Sequence, residues 1–307
     1  MDLARLFTPS DPDLRRIAAR IHAERPDLRA TFPQADGTAF WQWLGSYGLL
    51  EHPEVARHYP PLPNDSLRST VCGGMQYDTH LRTGAEDCRL LLELYELFAQ
   101  RSADEIGEVF DFGCGCGRAL RWFASALPSA RLAGADVRVA AIEWCRANLR
   151  GDFWSTATTP PLPFAGGAFD LTYALSVFSH LTREQCIEWM RELARVTRPD
   201  GLILISTHGA FAAAVTSRSP DHQHLLKIDA EDARGIVRAL ATEDFVHRVS
   251  SPSLRQCLDG VADDYGNAFF GEVFARTAFS DFAEYLGGVP CALNLWQDVH
   301  AYRPRRL

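Results

Sequence analysis

The chain has 307 residues, 47% of them hydrophobic, and carries 31 Lys and Arg against 39 Asp and Glu for a net charge of −8. That apolar share supports a sizeable core and excludes a disordered chain, and the acidic balance argues against a general affinity for nucleic acid. No window of about 18 uninterrupted apolar residues is available to span a membrane, and the opening MDLARLFTPSDPDLRR lacks the apolar stretch of a secretion signal.

In chain order, residues 1–70 read as a helical appendage. Leu14, Ile17, Ala18 and Ile21 recur at helical spacing. Phe40, Trp41, Trp43 and Tyr47 in FWQWLGSYGLL read as its core, and the prolines of HYPPLPND form a linker. From about residue 85 strands and helices alternate. RLLLELYELFAQ is a helix, EVFDF a buried strand, ALRWFASAL a helix, RLAGADV a strand and AAIEWCRANL a helix. GDFWSTA and FDLTYALSV follow as third and fourth strands. TREQCIEWMRELARVTRPDG is a helix with a Thr182/Gln185 capping box, ended by Pro199 and Gly201. LILIS is a strand buried on both faces, so the fold class is α/β, a doubly wound and mostly parallel sheet. Residues 209–265 are polar and weakly patterned, the expected place for an insertion or lid. GEVFARTAFSDF resumes a helix, and AEYLGG and LNLWQDVHAY close the chain as two strands.

The first strand runs into FGCGCGR, where Gly113, Gly115 and Gly117 alternate with Cys114 and Cys116. Open α/β sheets bind ligands at such a turn, and glycine lets the backbone approach closely. A P-loop needs a lysine that is absent; Lys227 is the only lysine in the chain. A dinucleotide loop of the G-x-G-x-x-G/A type fails because its last position falls on Arg118 or Leu120. The pattern D-x-G-x-G-x-G from Asp111 to Gly117 fits without a gap. A carboxylate there repels a pyrophosphate and attracts a cationic ligand. Asp136, at the end of the second strand and about 20 residues on, can accept ribose hydroxyls.

On VFDFGCGCGR, GADV, PPLPFAGGAFDLTYALSVFSHL and RPDGLILIS, in that order, the chain resembles the class I S-adenosylmethionine-dependent methyltransferases over roughly residues 85–207. The resemblance implies a seven-stranded Rossmann-like sheet, a domain over 71–307, and S-adenosyl-L-methionine as cofactor. It implies that Asp111, Gly113, Cys114, Gly115 and Gly117 surround the methionine part. Asp136 holds the ribose, Val137 packs on the adenine, and Leu175 and Ser176 line the far side. Relatives often carry Asp or Asn after the third strand; here Ser155, Thr156 or a backbone carbonyl must read the adenine edge. Within the family, PPLPF, SVFSHL and WQDVHAYRP look like bacterial methyltransferases of glycan assembly.

The remaining candidates are weighed against plainer roles. Eight cysteines without a CxxC pair read as reduced thiols of a cytoplasmic protein, and Cys114 and Cys116 as small packing residues, not metal ligands. His222 and His224 read as surface histidines before they read as a metal site, and no metal is assigned. His180 or His208, each following a strand end, is the expected general base. The segment YDTHLRTG, with Tyr77, Asp78, His80 and Arg82, is expected to precede the first core helix, and Arg82 to pair with the cofactor carboxylate. The expected reaction is O-methylation of a sugar or glycan intermediate. A small natural-product acceptor, an NAD-dependent oxidoreductase and a non-catalytic binding module are the alternatives.

Overall fold

The computed structural model describes residues 11–72, 77–251 and 263–305. Seven strands form one sheet in the order β3-β2-β1-β4-β5-β9-β8. These are β1 (Glu108–Phe112), β2 (Arg131–Asp136), β3 (Asp152–Ser155), β4 (Phe169–Ala174), β5 (Thr197–Thr207), β8 (Ala283–Leu293) and β9 (Gln297–Pro304). Strands β1 to β5 pair in parallel, while β9 runs antiparallel between β5 and β8. The expected Rossmann-like sheet is therefore present, with the closing hairpin inserted so that its second strand lies inside.

Side chains alternate between two apolar clusters, as the period of two in a strand requires. Val109, Leu171, Tyr173, Leu202 and Leu204 face one cluster. Phe110, Ala174, Ile203 and Ile205 face the other, where Met190 and Leu193 of the Arg183–Val196 helix pack. The first cluster also takes in Leu14, Ala18, Ile21, Phe40, Trp41 and Leu44 of the N-terminal helices. The appendage thus packs into the core of the sheet. Of its aromatic run, Phe40 and Trp41 are buried and Tyr47 is 49% exposed.

Four sequence expectations are corrected. YDTHLRTG does not precede a helix; it forms the first turns of the 23-residue helix Tyr77–Ala99. The capping box Thr182/Gln185 is present, but the helix stops at Val196 and not at Pro199. Thr197 starts β5 instead, its hydroxyl donating to Leu193 O at 2.7 Å, and Pro199 and Gly201 lie within that strand. The segment after Thr207, weakly patterned in sequence, is built of regular elements where the structure describes it. Helices Ala210–Thr216, Pro220–Leu226 and Ala230–Leu240 lead to β6 (Phe245–Val249), which pairs with β7 (Gly266–Phe270). Ala213, Leu226, Ile236, Val246 and Phe269 make a small core of its own. Its helix starts carry ordinary signals, Ser219 before Pro220 and Asp229 accepting from Glu231 and Asp232 N–H groups. Last, β8 extends to Leu293, so LNLW is mostly turn, with Asn294 and Leu295 at positive φ.

One glycine gives a test of this packing. A Cβ on Gly84 would sit 2.2 Å from the Arg118 carbonyl oxygen, a backbone atom. Helix propensity alone predicts that Gly84→Ala stabilises by about 1 kcal/mol. The close approach reverses the sign: the expected outcome is destabilisation by about 2 kcal/mol, read from the urea midpoint at unchanged slope.

Candidate active site

The glycine loop sits where strand order reverses, between β1 with its neighbour β2 on one side and β4 on the other. All three glycines have positive φ, of 78°, 53° and 72° for Gly113, Gly115 and Gly117. The loop spends its N–H groups on the protein. Gly113 and Cys114 N–H donate to Ala135 O at 2.7 and 3.1 Å, and Gly115 N–H donates to Asp136 Oδ2 at 2.8 Å. A phosphate cradle needs those groups aimed at the ligand, so the geometry agrees with the exclusion of a pyrophosphate.

The loop borders a cavity of about 260 Å³. Asp111, Gly113, Cys114, Gly115, Asp136, Val137, Thr156, Leu175, Ser176 and His180 all line it. Asp111 is buried and accepts from the Tyr173 hydroxyl at 2.9 Å. Burial raises its pKa to about 7, against the Tyr173 hydrogen bond and the charge of Arg118, which lower it; Asp136 and Asp87 add to the rise. Asp136 is likewise pushed up by burial, opposed by the backbone N–H groups of Arg138 and Gly115 that it accepts. Each of its oxygens keeps a further lone pair. Ser176 is held at φ 56°, a strained value for a non-glycine residue. Its N–H donates to Ser206 Oγ at 2.7 Å, and its hydroxyl oxygen accepts from Gln297 Nε2 at 2.9 Å. Asp170, at the far end of β4, has a structural task, accepting from Gly107 and Glu108 N–H and pairing with Arg198.

His180 is fixed from the strand that follows the insertion. Its Nδ1 lies 2.8 Å from Gly266 O, and Tyr265 stacks on its ring at 4.9 Å between centroids. A carbonyl oxygen only accepts, so Nδ1 carries the proton and Nε2 keeps its lone pair. Burial lowers the His180 pKa, which keeps the ring neutral.

Several expected site residues lie elsewhere. Arg82 does not line the cavity; its side chain is 52% exposed and pairs with Glu86 one turn on. It falls on the outer side of a helix whose Leu81, Ala85 and Cys88 face the core. Arg118 lines the cavity instead and pairs with buried Asp87. His208 is also absent from the lining. It is 1% exposed and packed between Phe269 and Trp296, with burial lowering its pKa to about 3. Gly117 turns the loop behind the cavity, its N–H donating to Cys114 O, and a Cβ there would collide with Leu149. Ser155 is exposed at the edge strand, whereas Thr156 reaches the cavity. Cys114 and Cys116 are buried thiols; contact with Cys145, with burial, pushes Cys114 up. His222 is engaged with Ser219, and among the described residues no cluster of His, Cys, Asp and Glu has metal-binding geometry.

Sequence reading missed Arg138, Trp189 and Tyr265, all in the lining. Arg138 was legible as the residue two beyond Asp136. Tyr265 carried no signal, because its approach depends on the pairing of β6 with β7.

The residues fit the expected cofactor on their own chemistry. The cavity offers buried carboxylates, apolar walls and unpaired buried donors, Arg138 Nε and Nη1, and a Cβ on Gly113 would strike Val177. Residues 109–201 match the family model described as a methyltransferase domain. The chain is 29% identical over 102 residues to a malonyl-[acyl-carrier protein] O-methyltransferase of Hahella chejuensis, covering 33% of this chain and 36% of that one. It is 30% identical over 124 residues to methyltransferase GfsG of Streptomyces halstedii, covering 38% and 42%. The chain thus spans less than half the length of these two curated relatives. A magnesium protoporphyrin IX methyltransferase from Synechocystis, solved with bound S-adenosylhomocysteine, aligns at a TM-score of 0.46 with 14% identity, over 86% of this chain and 97% of that one. No helix among the described residues is long and apolar enough to cross a membrane. Over residues 109–201 the chain thus matches a methyltransferase domain, and the sheet order and the glycine loop agree with that match.

Proposed function

We propose that the protein is an O-methyltransferase whose acceptor is a hydroxyl of a sugar or glycan intermediate, with His180 as its general base. The observation that carries this reading is the locked, neutral His180 at the cofactor cavity. S-adenosylmethionine supplies a methyl group already activated on a positive sulfur. Asp111 provides charge for its ammonium and Asp136 for its ribose hydroxyls. Val137 and Thr156 stand at the adenine, and Leu175 and Ser176 on the opposite wall. Arg118 takes the carboxylate role first expected of Arg82. The protein's remaining task is to align the acceptor and remove its proton.

A neutral hydroxyl needs that base; a carboxylate, which is already ionised, does not. His180 is tied by hydrogen bonds to Gly266 and by stacking to Tyr265, and its ring lies 6.2 Å from that of His208. These contacts favour residues 209–265 as the acceptor side. A labelled-methyl assay across nucleotide sugars, lipid-linked glycans, small phenols and free carboxylates tests the reading. Transfer to sugar hydroxyls is expected. Transfer to a carboxylate alone sinks it.

A further inference from the structure

Arg138 lines the cavity with two side-chain donors that no group of the protein accepts. It follows Asp136 by two residues, and its backbone N–H donates to Asp136 Oδ1 at 2.9 Å. Its positive charge acts on the Asp136 carboxylate, favouring the ionised form. The side-chain atoms Nε and Nη1 are buried without a hydrogen-bond partner. Such donors are rarely left unmade in a folded protein, and they ask for an acceptor that arrives with a ligand. Arg121, another buried arginine, spends Nη2 on the carbonyls of Pro60 and Pro61 and leaves Nη1 without a partner, but unlike Arg138 it does not line the cavity.

The chemistry of a sugar hydroxyl supplies what is missing. A hydroxyl both donates and accepts. An ionised carboxylate only accepts, so Asp136 can take the protons of a ribose diol but leaves the oxygen lone pairs unanswered. A guanidinium only donates, and in a rigid planar fork. Stacking of Arg138 on a base would leave its N–H groups unpaired, and a phosphate is absent from the cofactor. We propose that Arg138 and Asp136 form a matched donor–acceptor pair on the 2′,3′-diol of the cofactor, which makes Arg138 the residue that selects ribose over deoxyribose.

This inference rests on the cofactor reading above, and one titration set separates the two. Calorimetry at fixed salt compares S-adenosylhomocysteine with its 2′-deoxy and 3′-deoxy analogues, for the native protein and for Arg138→Met. The native protein is expected to prefer the ribose form by about a hundredfold, because a missing hydroxyl strands both partners. In Arg138→Met the preference is expected to fall below about tenfold, as the hydroxyl then loses only Asp136. Arg138→Gln, which keeps a donor, is the second variant should the first fold poorly; circular dichroism reports on both. An unchanged ratio in a folded variant, or no preference in the native protein, overturns the role of Arg138 and leaves the cofactor reading intact. Failure of the native protein to bind S-adenosylhomocysteine at all removes both.

Discussion

Asp111→Asn is expected to abolish cofactor binding and at the same time to make the ligand-free protein harder to unfold. The carboxylate is buried with a pKa of about 7, against 3.8 for an ordinary aspartate. Because the folded-state pKa lies above the unfolded value, burial of this carboxyl costs nothing below pH about 4, where it is neutral in both states. The cost of ionisation grows as pH rises and is complete above about 7. At about 1.4 kcal/mol per unit, the cost approaches about 4 kcal/mol at pH 8 as an upper bound. Asparagine cannot ionise and still accepts from Tyr173. Thermal melts without ligand are therefore expected to show the variant more stable at pH 8 and nearly equal to the native protein at pH 4. Calorimetry with S-adenosylhomocysteine is expected to show a loss of a hundredfold or more, since one charge pair at about 4 Å is worth several kcal/mol. The same carboxylate sets the pH dependence of the native protein: affinity weakens, by up to about tenfold per unit, as pH falls below 7. A variant that is less stable at both pH values, or that binds normally, removes Asp111 from the site.

His180→Gln is the second large effect. Glutamine retains a donor for Gly266 O but no basic nitrogen. For a hydroxyl acceptor, kcat is expected to drop about 10²–10⁴-fold while the affinity for S-adenosylhomocysteine changes less than about threefold. With burial lowering the His180 pKa from its ordinary value, native kcat at saturating cofactor is expected to fall only at a pH below the one at which an ordinary histidine titrates. The KM for cofactor rises below pH 7 through Asp111. Two separate pH limits in kcat and KM distinguish a base from a merely structural histidine. A loss of less than about tenfold points to an acceptor that is already ionised.

The parallel half of the fold was readable because its signals are local. EVFDF is apolar on both faces, its glycine turn follows directly, and Thr182 with Gln185 marks a helix start within four residues. The insertion was not readable for the opposite reason. Among the described residues its core is five side chains drawn from three short helices and two strands, too few per element to leave a period. The cavity shows the same division. Asp111, Gly113 and Asp136 stand at fixed distances from strand ends, so spacing alone places them. Arg82 falls on the outer face because YDTHLRTG belongs to the helix it was expected to precede, and Arg118, which lines the cavity, had entered the sequence reading only as the failed last position of a dinucleotide motif. Tyr265 reaches His180 only through the pairing of β7 with β6, which no local pattern encodes.

The N-terminal helices share one apolar cluster with a whole face of the sheet, from Leu14 and Phe40 through to Tyr173 and Leu204. Cleaving the chain in the proline segment 59–64 would uncover that face, so neither fragment has a finished interior. Calorimetric unfolding should then appear as a single endotherm for appendage and sheet together, with matching van't Hoff and calorimetric enthalpies. For engineering, the consequence is that acceptor range cannot be exchanged by swapping the first seventy residues as a cassette. Any graft must bring along the helix faces that the sheet expects to meet.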